Sequence, residues 1–257
     1  MKIATVIPVR NMEGTISRAL ESVCHQNPDS LLIIDDCSDD STPEIIQKYA
    51  SKYNFIKVVR YPQKADCHVE AMIKPICSLE FDYIIGLGAD DVISDGIVDS
   101  IRETAKKNNP GVIFCNYNTV AEPDLQILEQ RNYGYQEVTW LKPQEAQRKF
   151  ISDNGHRHEC GVGSAISYDA FLWLSKTGFH SLGPWMDSWG FTIASVKYGC
   201  AYIPIVGALF VVKAKNRSYH QRALDSNNIR SKHIEAAKKW LMQPDVVNFA
   251  KDIKFFM

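Results

Sequence analysis

The chain of 257 residues is long enough for one large domain with a substantial buried core, and 45% apolar with 23% charged residues exclude a disordered or fibrous protein. No run approaches ~18 consecutive apolar residues, which excludes a spanning helix, and Met1 to Pro8 has neither the apolar core nor the cleavage site of a secretion signal, so a cytoplasmic protein is expected. The net charge of -1 hides an asymmetry: ten Lys and Arg against four Asp and Glu from Lys213 onward give the tail +6 and leave -7 for the rest. Such a tail is either a solvated face or a contact for an anionic membrane surface, a phosphorylated acceptor or nucleic acid. The seven cysteines are scattered without a CxxC pair, against both a disulfide framework and a zinc site built on paired cysteines.

In chain order, Lys2 to Val9 is a β-branched run interrupted by Pro8, and after the loop Asn11 to Gly14 the residues Ile16, Ala19, Leu20 and Val23 share one helical face. The unit repeats: Leu31 to Ile34 is a short apolar run, followed by an Asp-rich turn up to Pro43 and a helix through Ile45, Ile46 and Tyr49. Further strands are expected at Phe55 to Val59, Tyr83 to Leu87 and Val112 to Tyr117, with helices at Ala65 to Cys77 and Ile97 to Ala105. Strands alternating with helices predict an α/β fold, a Rossmann-like, mainly parallel sheet flanked by helices. Beyond Asn118 the pattern loosens. A helix near Gln144 to Phe150, a polar loop from Ser152 to Cys160, a strand at Gly161 to Ser167 and a helix at Tyr168 to Lys176 come next. A Gly-Pro loop then delivers Trp185 and Asp187, a helix follows at Phe191 to Lys197, and Ala201 to Val212 reads as one or two strands broken at Pro204. Helices near Ile229 to Leu241 and Asp245 to Phe255 close the chain.

Three acidic points stand out in this order: Asp35 with Asp36 after the second strand, Asp90 with Asp91 after the fourth, and Asp187. Ligands of open α/β sheets sit beyond the carboxyl ends of the strands, so the first two belong to one cleft. Adjacent carboxylates repel unless a cation or donor-rich ligand compensates them. Oxygen ligands suit Mn2+ or Mg2+, with phosphate oxygens completing the shell. The competing reading of Asp90 and Asp91 is an acidic helix start. No GxGxxG follows the first strand and no GxxxxGK[ST] is present, so the common backbone cradles for phosphate are missing.

Thr5-Val-Ile-Pro-Val-Arg-Asn11, Ile34-Asp-Asp-Cys-Ser-Asp-Asp-Ser-Thr42 and Gly88-Ala-Asp-Asp91 together resemble the nucleotide-sugar signatures of glycosyltransferase family 2, which has the GT-A fold. Gly161 to Ser167, Gly178-Phe179 and Trp185-Met-Asp-Ser-Trp-Gly-Phe191 resemble that family's acceptor-side strand, Gly-Phe loop and the helix start bearing its catalytic base. The resemblance implies a GT-A domain over residues 1–212, with a nucleotide-sugar half at 1–118 and an acceptor half at 119–212. Residues 213–257 would be a basic helical extension packed on it.

By resemblance, the nucleotide sugar is held by Pro8, Val9, Arg10, Asn11, Glu13, Asp36 and Asp90, with Lys64 and Lys215 as phosphate contacts. Asp91 with Asp90 would hold the cation, and Asp187 would be the general base of an inverting transfer from a donor, UDP-linked by expectation. His158, Gly161 and Trp185 are the acceptor-side candidates. The acceptor would be a saccharide or lipid-linked saccharide, with a nucleic-acid base also open, and the tail could touch a membrane peripherally. Two departures matter: Gly88 stands at the first position of the family's Asp-x-Asp, and Lys213-Ala-Lys215 stands where many relatives carry Arg-x-His. They keep a catalytically silent nucleotide-sugar-binding module open as an alternative. A sugar-phosphate nucleotidyltransferase is a further one, although the Gly-rich, Lys-containing loop such enzymes usually show is missing. His156 to Cys160 carries zinc-ligand types, but adjacent spacing rarely closes a tetrahedron, which leaves an acceptor loop or a plain polar loop.

Overall fold

The computed structural model describes residues 1–65, 68–152, 162–212, 227–251 and 253. The first half is a repeated strand-helix unit: β1 (Ile3–Val9), α1 (Ile16–His25), β2 (Ser30–Asp35), α2 (Thr42–Lys52), β3 (Ile56–Arg60), α3 (His68–Cys77) and β4 (Tyr83–Gly86). A two-residue strand, β5 (Val92–Ile93), and α4 (Ile97–Asn108) follow. The second half holds β6 (Val112–Ala121), β7 (Gln126–Arg131), β8 (Thr139–Leu141), α5 (Pro143–Ser152), β9 (Ala165–Ser167), α6 (Tyr168–Lys176) and a 3-10 segment, Phe179–Trp185. It ends with α7 (Met186–Tyr198), β10 (Cys200–Val212), α8 (Asn227–Leu241) and α9 (Pro244–Ala250).

Among the described residues, all ten strands join one sheet in the order β3-β2-β1-β4-β9-β6-β10-β5, with β7 paired to β6 and β8 to β10. Strands β1 to β4 pair in parallel, as do β6 and β10, whereas β5, β7, β8 and β9 pair antiparallel. The sheet is therefore mixed. Three of its antiparallel members, β7, β8 and β9, come from the stretch beyond Asn118, and the fourth, β5, from the turn after β4.

Both faces of the sheet are covered, so successive residues alternate between two cores. From β1, Ala4 and Val6 enter one and Ile3, Ile7 and Val9 the other; from β2, Leu32 and Ile34 oppose Leu31 and Ile33. Ile16, Leu20, Val23, Ile97 and Ile101 of α1 and α4 cover the second core. Leu174, Trp189 and Ile193 of α6 and α7 cover the first, together with Ala237, Trp240 and Val246 of the tail. The amphipathic face of α8 is thereby buried on the body. Trp240, 1% exposed, donates from Nε1 to Thr177 Oγ1 at 2.9 Å. Trp240→Phe removes that buried bond and part of the indole, so the protein should lose about 1–2 kcal/mol, read as a lower urea midpoint at unchanged slope. An unchanged midpoint would mean that α8 adds nothing to the fold.

Strand β10 passes through Pro204 without ending. It absorbs the missing N–H in register shifts against β6 between Ile203 and Val206 and again before Ala208. Its first residue pairs with the first of β6, and only Gly199 links it to α7, which packs on β6. Helix α7 consequently runs back against the strand direction, and its first turn lies toward the edge where β1, β2 and β4 end.

Candidate functional site

The carboxyl edge of the sheet gathers the acidic points. Val9 pairs with Asp35 at the end of β1 and β2, and the N–H of Asp36 donates to the carbonyl of Val9 at 2.9 Å, so the loops after these strands leave side by side. Five hydrogen bonds lock them. Asn11, at φ 51°, donates from its backbone to Ser38 Oγ at 3.0 Å and exchanges side-chain bonds with Asp39, 2.6 Å to Oδ1 and 3.0 Å from the Asp39 N–H. Glu13 accepts from the N–H of Ser41 at 3.0 Å and gives its own N–H to Asp40. Asn11 and Glu13 thus shape the cleft floor through Asp39 to Ser41. The Asp-rich run supplies partners for the loop opposite as well as turn residues.

Asp35 and Asp36 are both buried and do different things. Asp35 accepts from Ser38 and faces the Arg60 guanidinium at 3.2 Å, while Arg60 also donates to the Ser38 carbonyl at 2.8 Å. It holds the loop. Asp36 accepts the N–H of Ala65 at 2.7 Å, which brings the segment after β3, with exposed Lys64, to the same place. Arg10 is half-buried beside them and makes no hydrogen bond or ion pair with another described residue.

After β4 the chain turns at Gly88, whose carbonyl accepts the N–H of Asp91 at 3.1 Å, and it enters β5 instead of a helix. The acidic helix start expected as a competing reading is therefore displaced: α4 begins only at Ile97, after Gly96 at φ 75°. Asp91 is 3% exposed, and its Oδ1 accepts the N–H of Val211 on β10 at 2.9 Å. Burial, and then the neighbouring Asp90, push its carboxyl up to about 7, against the opposing pull of the Val211 N–H and Arg18. Arg18 of α1 donates to the Asp90 carbonyl at 2.9 Å and pairs with Glu122 at 3.0 Å. It ties together α1, the Asp90–Asp91 turn and the β6–β7 hairpin. Sequence reasoning missed Arg18; the available signal was a charged residue flanking the apolar stripe of α1.

The two carboxylates converge. A Cβ placed on Gly88 would lie 2.5 Å from Asp91 Oδ2 and 3.0 Å from Asp90 Oδ1, so both oxygens border the same small space over the glycine. Among the described residues no group of three or more His, Cys, Asp or Glu forms a candidate metal site.

Asp187 sits in the first turn of α7, where its Oδ1 accepts the N–H of Ser188 at 2.8 Å. The helix starts five residues before the expected Phe191, which makes Asp187 part of a rigid element. The 3-10 segment ahead of it is shaped by Gly183, at φ 58° and ψ -123°, a conformation reserved for glycine, and a Cβ there would meet the His233 ring of α8 at 2.3–2.6 Å. Trp185 stacks on Trp189 with ring centroids 5.5 Å apart. His158, Gly161 and Lys215, together with the rest of His156 to Cys160, lie outside the described residues.

Among curated proteins, a "Cholesterol galactosyltransferase" of Borreliella burgdorferi is 26% identical over 118 residues, 45% of this chain and 32% of that protein. A "Poly(ribitol-phosphate) beta-glucosyltransferase" of Bacillus spizizenii is 31% identical over 116 residues, 44% of this chain and 18% of that one. The chain thus matches less than half the length of either relative. Among solved structures, S. aureus TarS 1-349 in complex with UDP-GlcNAc superposes with a TM-score of 0.69 at 14% identity, over 98% of this chain and 72% of that one, and shares the GT-A fold. The family model described as "Glycosyl transferase family 2" matches residues 5–173, from the middle of β1 to the middle of α6. That match spans more than half of the chain and includes the loops after β1, β2 and β4, so the chain belongs to glycosyltransferase family 2.

Proposed function

We propose that the protein transfers a sugar from a UDP-linked donor to an acceptor hydroxyl with inversion at the anomeric carbon. The observation that carries this reading is the gathering of Asp36, Asp90 and Asp91 on one sheet edge, toward which the first turn of α7 brings Asp187. UDP as the nucleotide is supported by the TarS structures, solved in complex with UDP-GlcNAc and with UDP.

The loops after β1 and β2 receive the nucleoside, with Asp36 as acceptor for the base edge and Arg10 able to lie over the base. Lys64 and Lys215 are candidates for the phosphates. Asp187 takes the proton from the acceptor hydroxyl as its oxygen bonds to the anomeric carbon, and the bond from that carbon to the diphosphate oxygen breaks on the opposite face. The proton ends on Asp187 and the electron pair on the leaving UDP. A divalent cation, Mn2+ or Mg2+, fits Asp90 and Asp91, since the space over Gly88 is bordered by an oxygen from each and two neighbouring carboxylates, one of them buried, favour a positive partner. Such an ion, when bound, offsets charge on the leaving diphosphate. Saccharide and lipid-linked saccharide acceptors suit the relatives' names, and the basic tail from Lys213 suits a phosphorylated acceptor or an anionic surface.

The test is release of nucleoside diphosphate from a panel of nucleotide sugars, with and without Mn2+. Metal-dependent release from a UDP-sugar, lost in Asp91→Ala, is the expected result. Binding of a donor without turnover across broad acceptor screens would instead identify a silent binding module, and absence of binding by every donor would remove the reading.

A further inference from the structure

Gly88 stands where a family-like Asp-x-Asp would begin, which at first sight means a lost ligand. The geometry points to the opposite: Gly88 is the positioning residue that lets Asp90 and Asp91 face one cation, and any side chain at 88, an aspartate included, weakens cation binding. This rests on the metal-assisted donor reading above.

The argument is steric. The position of a Cβ on residue 88 lies 2.5 Å from Asp91 Oδ2, closer than a methyl group tolerates, and tightly against Asp91 Cγ at 3.2 Å and Asp90 Oδ1 at 3.0 Å. The Asp91 carboxylate must then move, and it is tied. Asp91 Oδ1 accepts from the N–H of Val211 at 2.9 Å, so turning the carboxylate away breaks that bond and leaves a buried donor unpaired, at about 1–3 kcal/mol. The Asp91 N–H is held by the Gly88 carbonyl at 3.1 Å, and the Asp90 carbonyl by Arg18 at 2.9 Å, which fixes the turn on both sides. The movable part is the pair of carboxylate oxygens. A side chain at 88 fills the space they border and turns Asp91 Oδ2 out of it. An aspartate at 88 would add a carboxylate and at the same time displace one already present.

The experiment titrates Mn2+ into the full-length protein with UDP present, reading free Mn2+ by electron paramagnetic resonance, for wild type, Gly88→Ala and Gly88→Asp. Metal-free UDP binding by calorimetry in chelator runs alongside. The expected result is Mn2+ affinity lower by about tenfold or more in both variants, the loss typical of disturbing the support of a metal ligand, with metal-free UDP binding retained. Wild-type affinity or better in Gly88→Asp overturns the inference while leaving the donor reading intact. Failure of wild type to bind either UDP or Mn2+ overturns the donor reading itself. Should the position-88 variants not fold, Asp91→Asn decides the point, since it keeps the side chain's shape and its Val211 bond: unchanged Mn2+ affinity in that variant overturns the inference.

Discussion

Asp187→Asn should lower the transfer rate by about 10²–10⁴ while UDP binds as in wild type, because asparagine keeps the shape and the bond from the Ser188 N–H but has no basic oxygen to take the acceptor's proton. The placement makes the substitution clean. Asp187 lies in the first turn of a 13-residue helix whose next turn buries Trp189 and Gly190, and the approach to it is fixed by Gly183 against His233. Backbone geometry therefore does not depend on the carboxylate. Initial rates at saturating donor and acceptor, with calorimetry for UDP, check the prediction. A loss below tenfold would place the base on another residue.

Metal-free Asp91→Asn protein should melt higher than wild type at pH 8, with the gap closing toward pH 4. Burial and Asp90 raise the Asp91 carboxyl from 3.8 to about 7, so the folded state holds a proton that the unfolded chain has released over that interval. The cost to wild type is absent below about pH 4, grows as pH rises, and is complete above about pH 7. At about 1.4 kcal/mol for each tenfold change in proton affinity, it reaches the order of 4 kcal/mol, and the neutral isostere removes it. Added Mn2+ with UDP should raise the wild-type melting temperature and leave the variant's nearly unmoved, since only a ligand of the folded state shifts the transition. A variant that melts lower than wild type at pH 8 without metal would show that the charge on Asp91 supports the fold by itself.

The two predictions concern residues that differ in how far sequence alone reveals them. Asp36, Asp90 and Asp91 follow apolar strands, and period and position put them on one edge because parallel strands share a direction. Asp187 was marked by its Gly-Pro approach and its resemblance to a family helix start, but its edge depends on α7 running back to β10.

What the sequence determined is whatever depends on local pattern: the alternation of β1 to β4 with their helices, the amphipathic faces of α1, α4 and α8, and the turn chemistry after β2. These follow from side-chain periodicity and caps, which neighbours along the chain supply. What only the tertiary structure decided depends on partners distant in sequence. Arg18 reaches Asp90 and Glu122, 72 and 104 residues away, and Val211 reaches Asp91 across 120. The short β5 and β8 gain their strand-pairing hydrogen bonds only from β10, far along the chain, and β10 survives Pro204 because β6 holds both sides of the bulge. Gly88 shows the division most sharply. In sequence it is a missing carboxylate, and in the fold it is the space two carboxylates border, because the 2.5 Å approach of Asp91 Oδ2 to the Cβ position of residue 88 exists only once β10 has fixed Asp91.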